Sequence, residues 1–478
     1  MRAQQELVAD YVVVGAGAMG LAFVDSLLDH TDADVVLIDK RAEPGGHWQD
    51  AYPFVRLHNV SAVYGVNSRP LGRNWVESRG PEAGFMERAS RADILEYYAI
   101  FFREKVLASG RVRWLPEHEW INGVARSLRD DAQVPVRARR RVVDATFTDT
   151  QIPTTHAPGF LVAPDVSMVT PNELPEMVRE GGHFTIIGGG KTAMDCASFL
   201  LGAGIDPHAI AWVRPRDAWL MNRAYLQPNE VSFVTIMEGF AADQEAAAVA
   251  HSVSDYFARL EEARIVHRID ASVEPTMFRC AIASEFEISQ WRRIANVIRM
   301  GRVREIDAQR MFLDHGDVQA RSGELYIHCA ADGVRKREPA PVFQAERITL
   351  QYVRRCAPPL SAAFIARVEA EHTTDESKNA LCAVVPMVEE PIDWVRTQLM
   401  EAANRVKWAN EPSLRQWLET SRLDGYAALI SRVMAKPTPA QAAAFARWVK
   451  GREAGLAGLR KLLEAPAGQR ASELIACA

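Results

Sequence analysis

The run Gly15-Ala16-Gly17-Ala18-Met19-Gly20 has glycines at the spacing that lets a backbone wrap a pyrophosphate. Gly15 permits a tight turn, Gly17 lets a phosphate approach the backbone, and Gly20 lets the following helix pack closely on the preceding strand. A second run, Gly188-Gly189-Gly190-Lys191-Thr192-Ala193, repeats the pattern, with Ala193 in the tolerated third place. Asp39 lies roughly 20 residues beyond the first run, where a carboxylate can accept from an adenosine ribose hydroxyl. The equivalent place after the second run is Arg214-Pro215-Arg216. An acid there would bond a free 2′-hydroxyl, whereas arginine fits a 2′-phosphate, and Lys191 adds positive charge. The economical reading is two dinucleotides on one chain: a flavin (FAD) in the first site and NADPH in the second.

Both runs sit where the surrounding elements must hold them. Tyr11-Val12-Val13-Val14 is a continuous apolar stretch of the kind buried on both faces of a parallel sheet. A helix over about 18–29 then aims its N-terminal N–H groups at the phosphates, and Asp34 to Ile38 is a second strand ending at Asp39. His183 to Ile187 leads into the second run, a helix with Met194, Ala197, Phe199 and Leu200 on one face follows, and Ala209 to Val213 is the next strand. Between the modules, Arg91 to Leu107 has helical spacing, while Val112 to Leu115 and Val142 to Thr146 read as strands.

Composition narrows the class. With 478 residues and 48% hydrophobic content the chain can bury several cores, and a net charge of -5 gives no reason to expect nucleic acid or an anionic membrane as partner. No stretch is long and apolar enough to span a bilayer, and Met1 to Glu6 lacks the apolar core of a signal peptide. Cys196, Cys280, Cys329, Cys356, Cys382 and Cys477 are scattered with no C-x-x-C pair, which argues against a disulfide framework, a metal ribbon or a redox dithiol. A cytoplasmic protein without a metal is the expectation.

The segment after Asp39 carries a family resemblance. Gly45-Gly46-His47-Trp48, Tyr52-Pro53, Arg56-Leu57-His58 and Ser61 to Tyr64 resemble the flavin-contacting stretch of the class B flavoprotein monooxygenases, which include flavin-containing and Baeyer–Villiger monooxygenases. The resemblance covers roughly the first 350 residues, and its motifs are specific as a set. It implies an α/β fold with two Rossmann-like dinucleotide-binding domains, for FAD and NADPH, and a mostly helical C-terminal segment. The FAD contacts it implies are Gly15, Gly17, Ala18, Met19, Gly20, Asp39, Lys40, Gly46, His47, Trp48, Leu57, His58, Tyr64 and Asp332. Trp48 and Tyr52 would offer flat apolar walls. For NADPH the residues are Gly188, Gly189, Gly190, Lys191, Thr192, Arg214, Arg216 and Asn222, with Arg223 beside it.

The activity so implied is hydride transfer from NADPH to flavin, then formation of a C4a-peroxyflavin that inserts one oxygen atom from dioxygen into a small organic substrate. The alternative is a reductase or dehydrogenase that inserts no oxygen. The Baeyer–Villiger fingerprint ahead of the second glycine run is missing from Phe160 to Asp165, so oxygenation at nitrogen or sulfur competes with ketone oxidation. Arg56 and His58 are the candidate catalytic residues; His58 stands where that family has an aspartate. For each a plainer role is open: an ion pair for Arg56, a hydrogen bond to flavin or backbone for His58.

The expected layout is an FAD domain over 1–160, an NADPH domain over 161–324, a return segment over 325–360, and helices over 361–478. That tail would cap the substrate pocket, form a homodimer interface, or pack on the FAD domain. Its acidic stretch, Glu369, Glu371, Asp375 and Glu376, reads as a solvated face.

Overall fold

Strand β1 (Leu7–Val14) runs into helix α1 (Ala18–His30) and strand β2 (Val35–Ile38), and the three form the seed of the first sheet. The computed structural model describes residues 5–179 and 181–464; Met1 to Gln4 and Cys477 lie outside them. β1 pairs in parallel with β2 on one side and with the strand Gln133–Asp144 on the other. Val14 is level with both Ile38 and Asp144, so Gly15, Asp39 and Ala145 all leave the sheet at its carboxyl edge. Helix α2 (Arg91–Phe101) starts at a capping box made by Ser90 and Asp93 and continues as π-helical turns over Phe102–Leu107. Strand β3 (Val112–Leu115) then extends the sheet beyond β2.

A second, five-stranded sheet is parallel throughout, in the order Asn296–Ile298, Ile210–Val213, His183–Ile187, Glu324–His328, Met168–Val169. Ile187 is level with Val213 and His328, which brings Gly188, Arg214 and Cys329 together at the carboxyl edge. Open α/β sheets bind ligands in the crevice at this edge. Two smaller sheets flank the unit.

The return to the first sheet comes later than the sequence suggests. Glu324–His328 is a central strand of the second sheet, not the start of the return segment. The chain rejoins the first sheet at Arg347–Thr349, parallel to Gln133–Asp144, after a short antiparallel partner at Phe343–Gln344. The helix Pro358–Glu371 then packs on α1, and Leu360, Ala363 and Phe364 join the first core. This opening helix of the tail is therefore a structural part of the first unit. Glu369 is correspondingly not on a solvated face: its side chain is 5% exposed, accepts from the Tyr11 hydroxyl at 2.8 Å and pairs with Lys378 at 2.5 Å.

Farther on, the long helix Pro439–Glu464 lies along Phe233–Val249. A Cβ on Gly458 would sit 1.9 Å from the Ala247 carbonyl oxygen, so only glycine allows this approach. One disulfide joins two of the scattered cysteines. Cys280 and Cys356 are separated by 76 positions, yet their Cα atoms are 6.3 Å apart and their sulfurs bonded, tying the strand Met277–Ala283 to the segment just before Pro358. No helix among the described residues is long and apolar enough to cross a membrane.

Candidate functional site

At the first glycine turn, Gly15 has φ +106, and a Cβ on Gly20 would lie 1.9 Å from the Gly15 carbonyl oxygen. Gly17 caps α1 with no side-chain hydrogen bond, so the first N–H groups of Ala18, Met19 and Gly20 take no side-chain cap. The Gly45–Gly46 turn closes directly over this one. Gly45 N donates to the Ala16 carbonyl at 2.9 Å, and a Cβ on Gly46 would be 2.8 Å from Gly17 Cα. A cradle floored by glycines and facing an uncapped helix N-terminus fits a dinucleotide pyrophosphate. The buried Asp39 carboxylate accepts from Ala16 N at 2.6 Å and Arg41 N at 2.8 Å, which fixes it beside the cradle, with Lys40 exposed next to it.

Around this cradle the aromatic residues take different parts. Trp48 is buried and donates from Nε1 to the Tyr64 hydroxyl at 2.7 Å. The His47 ring lies 5.2 Å from that of Trp48, and burial, with help from Arg41, lowers its pKa to about 4. Tyr52 does not serve as a free flat wall. Its hydroxyl donates to Asp195 at 2.7 Å, and Asp195 is the ion-pair partner of Lys191. Phe54 stacks on Phe199 at 4.3 Å. The Tyr-Pro-Phe segment thus clamps the first unit onto the helix Lys191–Gly202 that begins the second glycine turn.

The second turn has the same construction. Gly188 has φ +133, and its Cβ would meet the Cys329 carbonyl oxygen at 2.8 Å; Gly190 caps the helix without a side-chain bond, and Thr192 lies in its first turn. The arginines after the next strand behave differently from each other. Arg214 is only 3% exposed, 4.9 Å from the Trp212 ring centroid and 3.2 Å from Asp217. Its Nε and Nη1 take no hydrogen bond among the described residues. Arg216 remains half-buried, donates to the Thr276 carbonyl at 2.5 Å, and has Glu389 and Glu390 at 3.6 and 3.7 Å. Asn222 is also corrected: it is buried, its amide oxygen accepts from Ala224 N, and its NH2 donates to the Arg264 carbonyl. That side chain joins two segments of the second unit and does not line a coenzyme edge. Asp332 is exposed on the linker between the sheets, its carbonyl accepting from Arg279 at 2.8 Å.

The candidate catalytic pair is split. Arg56 is exposed and donates to the Arg88 carbonyl at 3.0 Å, with no ion pair among the described residues. His58 faces inward, next to buried Leu57, and its Nδ1 accepts from Ile282 N at 3.3 Å, which leaves the ring proton on Nε2. Burial, reinforced by Lys191, Arg223 and Arg88, lowers its pKa to about 3. His58 is therefore a neutral donor rather than an acid–base group at ordinary pH.

Sequence reasoning missed what surrounds it. Arg88 donates to the Leu57 carbonyl at 3.3 Å, and its guanidinium is 3.4 Å from Glu82 and 3.5 Å from Glu287. Arg223, 1% exposed, pairs with the same two carboxylates at 2.9 and 2.8 Å. Arg88 and Glu82 come from the first unit, Arg223 and Glu287 from the second, so no local spacing could reveal the group. The one local signal is the Ser284–Glu287 capping box at the helix Glu285–Trp291.

Residues 13–68 match the family model described as an NAD(P)-binding Rossmann-like domain, a stretch running from the end of β1 past Tyr64. The uncharacterized proteins Rv2000 of Mycobacterium tuberculosis and Mb2023 of Mycobacterium bovis are each 42% identical over 429 residues, which is 90% of this chain and 80% of theirs. The chain belongs to their family. Among solved structures, a polycyclic ketone monooxygenase from Thermothelomyces thermophila is similar over 91% of this chain and 89% of its own, with a TM-score of 0.51 and 11% identity. An open crystal structure of cyclohexanone monooxygenase is similar over 90% and 98%, with a TM-score of 0.50 and 14% identity. At these identities the likeness is one of fold: this chain shares the overall fold of these two monooxygenases.

Proposed function

We propose that this chain is an FAD- and NADPH-dependent monooxygenase acting on a small organic substrate with dioxygen. The observation that carries the reading is the pair of uncapped, glycine-floored helix N-termini, each at the carboxyl edge of its own parallel sheet. The Tyr52–Asp195 and Phe54–Phe199 contacts lock the two together. When bound, the flavin supplies the redox chemistry, taking electrons from the nicotinamide and activating dioxygen.

The protein's own part is positioning and dryness. The Gly15–Gly20 turn and the N-terminus of α1 bind the flavin pyrophosphate, and Asp39 accepts from the ribose. Gly188 to Thr192 does the same for the coenzyme, and Arg216, rather than Arg214, is the cation within reach of a 2′-phosphate. His58 holds a proton at Nε2 and can donate it as a hydrogen bond without ionising. Tyr52, Phe54 and Phe199 exclude water between the units. The FAD domain is composed of the segments up to about residue 160 and from about residue 343 through the Pro358–Glu371 helix.

The test is reconstitution with FAD, anaerobic mixing with NADPH, then turnover of a substrate panel under labelled dioxygen. Flavin reduction and a product carrying one labelled oxygen atom are expected, at nitrogen, sulfur or a ketone carbon. Stoichiometric hydrogen peroxide with no oxygenated product across the panel would make the chain a reductase instead.

A further inference from the structure

The hairpin that carries Glu82 has the construction of a removable plug. Its strands meet at the Val76–Met86 bridge and its tip is bounded by Gly80 and Gly84, both with positive φ and with open space where a Cβ would be. The base is fixed: Met86 N donates to the buried Gln227 side chain at 2.6 Å. The side-chain hydrogen bonds from the tip to the second unit run through one carboxylate. Glu82 accepts from Arg223 Nη1 at 3.0 and 2.9 Å and from the Ser284 hydroxyl at 3.3 Å, and it lies 3.4 Å from Arg88.

The receiving site is complete without Glu82. Glu287 is held by its capping box and stays beside Arg223 and Arg88. Two guanidiniums against one resident carboxylate leave a single uncompensated positive charge, costly to bury unless an anion fills the place. Arg223 Nε, wholly buried, has no acceptor in the closed arrangement. The site also adjoins the redox centre of the proposed function, because Arg88 donates to the carbonyl of Leu57, next to His58.

We propose that Arg88, Arg223 and Ser284 form a binding site for the carboxylate of an organic monoanionic substrate, and that Glu82 occupies it as a stand-in until the substrate displaces the hairpin tip. The assignment rests on the proposed function for its place next to the flavin. A carboxylate matches the groups present: planar, singly charged, and able to take two guanidiniums and a hydroxyl as Glu82 does. A phosphate dianion would overshoot the charge by one.

The test is calorimetric titration of benzoate, its neutral isostere benzamide and inorganic phosphate into wild type and Glu82→Gln. Removal of the competing carboxylate is expected to tighten benzoate binding at least about tenfold and to leave benzamide unchanged. In the wild type, saturating benzoate is expected to speed tryptic cleavage after the exposed Arg79 severalfold, a readout that needs no variant. Equal benzoate affinity in both proteins, phosphate binding as tight as benzoate, or cleavage indifferent to benzoate would overturn the proposal. Flavin uptake and anaerobic reduction of the same wild-type preparation separate the two claims. Benzoate capture without flavin uptake defeats the monooxygenase reading alone, and flavin reduction without benzoate capture defeats the carboxylate site alone.

Discussion

Arg214 and Arg216 stand two positions apart and do different work. Arg214→Ala removes a buried cation from Asp217, which keeps Arg299 at 2.8 Å, so a stability loss of about 2–3 kcal/mol is expected. The ratio of kcat/KM for NADPH over NADH should then stay put, and thermal denaturation plus coenzyme kinetics read both. Arg216→Ala is expected to lower that ratio about tenfold with little change in Tm. His58 gives a pH signature. Its folded pKa of about 3 lies below the unfolded 6.5, so the unfolded chain binds a proton that the folded one refuses. Stability is intact above pH 6.5 and falls as pH drops toward 3, by up to about 1.4 kcal/mol per pH unit. His47, at about 4, adds to the loss. Denaturant midpoints at about pH 7.5 and about pH 5 should show a smaller drop for His58→Gln than for wild type.

Among the elements, the turn at Gly45–Gly46 bears on the cradle most directly. Gly46→Ala would set a methyl 2.8 Å from Gly17 Cα at a φ of +60. The expected result is recovered folded protein with most of its flavin absorbance lost, and a stability cost of about 1–3 kcal/mol. Tyr52→Phe deletes a single hydrogen bond across the units and should cost about 1 kcal/mol, since Asp195 keeps Lys191. This scale also marks what could be read from the chain. Glycine turns, the strands before them and Asp39 announce themselves because their physics is local, within one β-turn-α unit. Arg223 and Glu82 are 141 positions apart, and Tyr52 and Asp195 are 143. Their partnership is set by how two sheets dock, which spacing does not encode. Arg214 shows the same limit: its type suits a phosphate, but Trp212 and Asp217 surround it in the fold.

For the whole molecule, the Cys280–Cys356 bond ties the second unit to the segment that leads into the Pro358–Glu371 helix of the first core. Closing a loop of that length limits the unfolded ensemble and is worth about 4 kcal/mol. Cys280→Ser with Cys356→Ser, or incubation with reductant, should lower Tm by several degrees relative to the oxidised wild type. The first sheet is itself interrupted. Its strand Gln133–Asp144 waits for Arg347–Thr349, and α1 waits for Pro358–Glu371. A ribosome must therefore emit the whole second sheet before the N-terminal core can close. During synthesis the face of α1 that Pro358–Glu371 covers has no partner until that helix is made, and a premature stop anywhere ahead of Glu371 would release a chain whose earliest-made half has no lid.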